Sequence, residues 1–221
     1  QVWENLPDLG SFVVTSPDTM VPAPLATIVR IFYTERGLYV AALMEQDPAT
    51  LVERLSSRDQ GELNRDYFSL TLDTSGEGRY GFFFQLNLGD SISDGTILPE
   101  RQYSRDWDGA WYGASSRTDD GWIAELLIPW SLLTMPKSKD ERVIGLYATR
   151  KVAYLNESYS WPGLPYTKPR FLSAFQPLLM EGVDPRQEYS VYPYVSSTYD
   201  NLDGSADYKI GADMFWRPSS D

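Results

Sequence analysis

Alternation with a period of two dominates the chain. In residues 66–73 (DYFSLTLD), Phe68, Leu70 and Leu72 fall on one side, and Tyr67, Ser69 and Thr71 on the other. Successive side chains of a strand point to opposite faces, so the apolar set is expected to face a core. Residues 27–33 and 38–44 are β-branched and aromatic runs around Glu35-Arg36-Gly37, a predicted hairpin. Residues 80–88 follow a Gly-rich turn at 75–78. Residues 111–116 and 122–128 flank Asp119-Asp120-Gly121, a second predicted hairpin, and strands are predicted at 143–152 and 175–180. Helical signals are confined to single turns at 48–52 and 129–133. Many short strands without intervening long helices predict an all-β fold, a two-sheet antiparallel β-sandwich.

The tail has a different rhythm. Residues 189–199 and 207–216 are joined by the polar turn 200–206. Each run is about ten residues, the length of a tilted outer-membrane strand, with Tyr and Trp near its ends. By composition alone, an ordinary edge hairpin on the sandwich is the favoured reading.

The 221 residues contain no Cys and no His. That excludes disulfides, thiolate metal sites, Ser-His-Asp chemistry, His-ligated metals and Met-His ligation of haem. The net charge of −12 makes nucleic acid a poor partner and is compatible with neutral ligands or divalent cations. No apolar run reaches the ~18 residues of a membrane helix. The chain starts at Gln1 without a Met or signal peptide and is expected to be a mature or trimmed form.

Four landmarks follow in order. The first is Trp3, with residues 26–33 and 37–41; the second is the stretch 65–73. The third is Asp106-Trp107-Asp108-Gly109-Ala110-Trp111 with Gly121-Trp122-Ile123-Ala124-Glu125-Leu126-Leu127-Ile128-Pro129-Trp130. The fourth is Ile144-Gly145-Leu146-Tyr147 with Arg150, Trp161 and Phe175-Gln176-Pro177-Leu178. Over residues 1–182 these resemble the family 9 carbohydrate-binding modules. They are most similar to the variant at the N-terminus of a Gram-negative outer-membrane β-barrel protein family. The resemblance implies a non-catalytic saccharide-binding sandwich at 1–182, then a linker and the first barrel strands at 183–221. It also implies an envelope location, periplasmic in orientation, with the barrel and a saccharide as partners.

In sugar-binding members of that family two Trp sandwich the terminal sugar. Trp161 matches one of these positions, and the other holds Leu63. A family Glu is matched by Ser69, and a family Arg falls near Gln85. Trp161 lies in a loop-like setting and reads either as a stacking platform or as a lid on one end of the sandwich. Trp107 and Trp111, four apart in a predicted strand, would share a face as a second platform, or else serve as core and rim residues. Gln85, Arg150 and Asp66 are candidate polar contacts. The resemblance also allows a structural Ca²⁺. Asp90, Asp94, Asp106 and Asp108 are its candidate ligands, with Asp59, Glu62, Asp66, Asp73 and Glu77 as a second acidic group. Glu125, an acid within an apolar motif, is expected to be buried against Arg150 rather than to catalyse. No second carboxylate has a comparable setting, so glycosidase chemistry is disfavoured. The alternative to sugar capture is an interaction or plug domain for the barrel.

Overall fold

The computed structural model describes residues 2–61, 63–136, 141–183, 188–199, 201 and 204–217. Its strands are β1 (Val13–Ser16), β2 (Thr27–Tyr33), β3 (Gly37–Glu45), β4 (Tyr67–Asp73), β5 (Gly81–Asn87), β6 (Ile92–Leu98) and β7 (Gln102–Ser104). They continue with β8 (Tyr112–Thr118), β9 (Gly121–Pro129), β10 (Glu141–Val152), β11 (Glu157–Trp161), β12 (Gln176–Glu181), β13 (Glu188–Tyr199) and β14 (Ala206–Arg217). Both single-turn expectations appear as short 3₁₀ turns, Pro48–Thr50 and Trp130–Leu132. No helix among the described residues is long and apolar enough to cross a membrane.

An eight-stranded antiparallel sheet runs β1-β11-β10-β4-β5-β6-β7, with β12 also pairing β10. A four-stranded sheet, β2-β3-β9-β8, packs on it. Phe68, Leu70 and Leu72 do face the core, as the alternation predicts, beside Phe84 and Leu86 of β5. Opposite them lie Leu38, Val40 and Ala42 of β3 and Ala124, Leu126 and Ile128 of β9. Burying each large apolar side chain stabilises the fold by about 1.5–3 kcal/mol, so this interface dominates. The β8–β9 hairpin closes at Gly121, whose φ is +153°. A Cβ there would lie 2.0 Å from the Met44 carbonyl oxygen, so the turn requires glycine.

The two sheets are also tied by polar groups. Arg150 is fully buried and points inward from β10. Its Nη1 donates to the Ala26 carbonyl and Thr27 Oγ1, and its Nη2 to the Glu45 carbonyl and Gln46 Oε1. Asp66, equally buried, accepts from Gln46 Nε2, Val52 N and Ala153 N. Such groups are tolerated in a core because nearly every lone pair and proton is partnered. The expected Arg150–Glu125 pair is not formed. Glu125 shares strand parity with Ile123 and Leu127 on the outer side of the small sheet, is exposed, and accepts from Trp3 Nε1.

β13 and β14 form a separate two-stranded sheet. Their register puts Val191, Pro193 and Val195 on one face with Ile210, Ala212, Met214 and Trp216. The other face carries Tyr192, Tyr194, Ser196 and Thr198 with Asp207, Lys209 and Asp213. The apolar face is open: Val195 is 73% and Ile210 83% exposed. The expected turn at 200–206 lies partly outside the described residues.

Candidate functional site

The outward-facing residues of the large sheet build a groove. Strand pairing aligns Thr149 with Ser69, Ser69 with Gln85, and Thr149 with Ser160 on the other side. Next to this polar row, Tyr147, Thr71 and Phe83 are aligned in the same way. On its other flank lie Ser158, Lys151, Tyr67 and Asn87, with Ser16 beyond. The groove has a volume of about 280 Å³, and its floor is made by Tyr67, Ser69, Thr71, Phe83, Gln85, Tyr147, Thr149 and Ser158. Arg101, Tyr103, Arg105, Tyr166 and Phe171 form the rest of its wall, with Thr15 and Ser16 at one end.

The wall is anchored by a second apolar cluster of Ile97, Tyr147, Leu164, Phe171, Leu172 and Phe175. Tyr147 stacks on Phe175 at 5.2 Å and meets Phe171 edge-on at 4.9 Å. Glu100 pins the same segment by accepting from Phe171 N and from Ser173 Oγ and N. Partial burial works against its charge, but these hydrogen bonds hold the Glu100 carboxyl below its ordinary value. The Arg101 guanidinium lies between two rings, 3.8 Å from the Phe171 centroid and 4.6 Å from that of Tyr166. Its Nη2 donates to the Pro165 carbonyl at 3.0 Å. Across the groove, Tyr103 meets Phe83 edge-on, and Arg105 stands 5.8 Å from the Phe83 ring. Burial, reinforced by Tyr166 and Tyr147, pushes the Tyr67 hydroxyl up to about 12. It therefore remains a neutral donor throughout the physiological range.

Chemically the groove combines exposed aromatic faces, short hydroxyls, an amide and two guanidinium groups. Gln85 Nε2 is occupied by Asn87 Oδ1, while its Oε1 has no protein donor among the described residues. No carboxylate is among the lining residues. A groove of this kind can stack and hydrogen-bond a ligand.

The sequence-derived residues are distributed unevenly about this site. Gln85 and Ser69 are in it, directly paired. Trp161 ends β11 rather than lying in a loop. It is paired with Ala148 of the inner face and half-buried against the core, on the side of the sheet opposite the groove. Its Nε1 comes so near Gly10 that a Cβ there would lie 3.3 Å away. Trp107 and Trp111 precede β8 instead of sharing a strand face, and both pack on the inner-face ring of Phe84. Trp111 is only 5% exposed. Leu63 is half-buried. Arg150 and Asp66, expected as ligand contacts, are instead the sealed inter-sheet ties described above.

The acids separate in the same way. Asp59, Asp94 and Asp108 bring carboxylate oxygens within 4.8 Å of one another. The Arg58 guanidinium already occupies that cluster, reaching Asp94 at 2.6 Å, Asp108 at 2.8 Å and Asp59 at 3.5 Å. Asp94 also accepts from Gly109 N, and burial raises its carboxyl despite that bond and Arg58. Ca²⁺ needs six to eight oxygens, so three carboxylates already satisfied by a guanidinium do not fit the ion as arranged. Asp90 is drawn away to Ser115 N and Oγ, and Asp106 to Ser104 Oγ. In the second group, Asp73 braces its own turn through Ser75 and Gly78, Glu77 pairs with Arg79, and Glu62 lies outside the described residues.

No family model matches the chain, and no curated protein matches it. The fold, however, has relatives among solved structures. A family 9 carbohydrate-binding module from Caldicellulosiruptor kristjanssonii, in complex with cellotriose, superposes with a TM-score of 0.56 at 12% identity, over 83% of this chain and 87% of that one. The same organism's family 9 module in complex with glucose gives a TM-score of 0.53 at 12% identity, covering 80% and 85%. A provisionally named carbohydrate-binding protein from Bacteroides uniformis gives 0.56 at 14% identity, covering 77% and 85%. The chain thus has the β-sandwich fold of the family 9 modules.

Proposed function

We propose that this protein captures a saccharide, without chemistry, in the groove on the outer face of its large sheet. The observation that carries the reading is the lining: tyrosine faces and hydroxyl or amide side chains in register, with no carboxylate among them. Pyranose rings offer C–H faces to aromatic rings and hydroxyls to short polar groups, and this surface answers both. Likeness of fold to modules solved with cellotriose and glucose supports the same reading. Stacking falls to Tyr166, Tyr103 and Tyr67 in place of the tryptophans. Calorimetric titration against a panel of oligosaccharides tests it. Saturable binding that Tyr166→Ala weakens about tenfold is the expected result. A folded chain that binds no member of the panel would leave the interaction-domain alternative in its place.

The tail belongs to the same proposal. Residues 183–221 are a linker and the first two strands of an outer-membrane barrel, which would place the sandwich at the cell envelope. Two 12-residue strands whose apolar face leaves Val195 and Ile210 largely exposed support this, since ~9–11 residues span a bilayer as tilted strands. The full chain should partition onto lipid vesicles, whereas a chain ending at Val183 should stay in solution with its groove intact.

A further inference from the structure

The protein carries 31 acidic against 19 basic residues, yet its groove reverses that balance. Both charged residues lining it, Arg101 and Arg105, are cationic. Neither makes an ion pair among the described residues, whereas Arg58, Arg79 and Arg117 all do. Nearby acid is turned away: Glu100, beside Arg101 in sequence, is spent on the backbone at Phe171 and Ser173. The Arg101 guanidinium is clamped between Phe171 and Tyr166, with Nη2 on the Pro165 carbonyl and Nε buried without a partner. Its Nη1 has no protein acceptor among the described residues. A guanidinium fixed in place with donors to spare is preorganised for a planar or tetrahedral oxyanion. The Tyr67 hydroxyl in the same groove stays protonated and adds a further donor. A site built only for neutral hydroxyls gains from carboxylate acceptors, and this groove has none.

From this imbalance we infer that the groove takes an anionic saccharide, one bearing a carboxylate or sulfate that Arg101 and Arg105 engage. The inference rests on the groove being the saccharide site and narrows its ligand class. The overall negative charge then acts as a filter, repelling anions everywhere except where two guanidinium groups converge.

The test is titration of the full chain with three oligosaccharides of equal length: a neutral glucan, its sulfated derivative and a uronate oligomer. One or both anionic ligands should bind at least about tenfold more tightly than the glucan in ~50 mM salt. That advantage should shrink in ~300 mM salt. Which anion binds identifies the group recognised. Arg105→Gln should weaken the anionic ligands far more than the glucan, removing most of the advantage. Arg105 is exposed, so this variant keeps the fold; Arg101→Gln is the harsher companion because the rings on either side lean on it. Parity between glucan and anions overturns the inference but leaves saccharide capture standing. Equal losses for all three ligands in Arg105→Gln overturn it too, by showing a hydroxyl contact. Binding of none of the three overturns the inference and the saccharide reading together.

Discussion

The two faces of β10 put opposite kinds of site one residue apart. Arg150 and Thr149 are neighbours in sequence, yet one is sealed between the sheets and the other opens into the groove. Arg150 spends its terminal nitrogens on four acceptors from the opposite sheet. Burial lowers it to about 10, against the pull of Tyr159 and Asp66, and it still carries its charge at neutral pH. Arg101 is held just as firmly, but by ring faces and a single carbonyl, so its polar edge is not consumed. The inter-sheet arginine and the groove arginine here differ in how many of their donors the protein itself uses.

The contrast can be broken from either side. The largest expected effect is Arg150→Met, which strips partners from the Ala26 and Glu45 carbonyls and should destabilise the fold by about 3 kcal/mol or more in urea denaturation. A loss below ~1 kcal/mol would show that the inner tie is dispensable. Arg58→Gln should cost about 1–3 kcal/mol by leaving buried Asp94 without its cation. Chelator should leave the wild-type melting temperature unmoved if Arg58 holds that cluster alone, whereas a fall reversed by Ca²⁺ would reinstate a metal there. On the outer face the signature inverts. Tyr166→Ala, at a residue 70% exposed, should change stability by under ~1 kcal/mol while weakening saccharide binding.

The smallest effect is a pH step. Glu100 has its folded value depressed, so its support of the groove wall is present above the ordinary Glu value. That support is lost as pH falls through the lower folded value. Affinity should therefore decline only in acid below the ordinary Glu value, and Glu100→Gln should flatten that decline.

Much of this contrast could be read from parity alone. Asp66 shares parity with Phe68, Leu70 and Leu72, and Arg150 with Leu146 and Ala148, so period two already assigned both to the core side. Their charge, taken alone, points instead to ligand contacts. Tyr67, Ser69 and Thr71 were legible as the other side of β4. Their meeting with Tyr147 and Thr149 was not, because β4 and β10 are joined by no short turn and their register depends on the whole sheet. Arg101, Tyr103 and Arg105 alternate around β7, but short polar segments such as β7 and β11 offer no hydrophobic period to detect. The tryptophans leave two readings open for a related reason: an indole suits a ligand face and a core equally, and here they pack on the core.

The floor of the groove has a metric. Thr149, Ser69 and Gln85 stand on three adjacent strands, so their backbones step across the sheet at about 4.8 Å. Along any one strand, residues on that face recur only every ~6.8 Å. A polymer lying across the strands would meet one grid, and the same polymer turned by a right angle a coarser one. The groove floor therefore carries two spacings of side chains, a finer one across the strands and a coarser one along them.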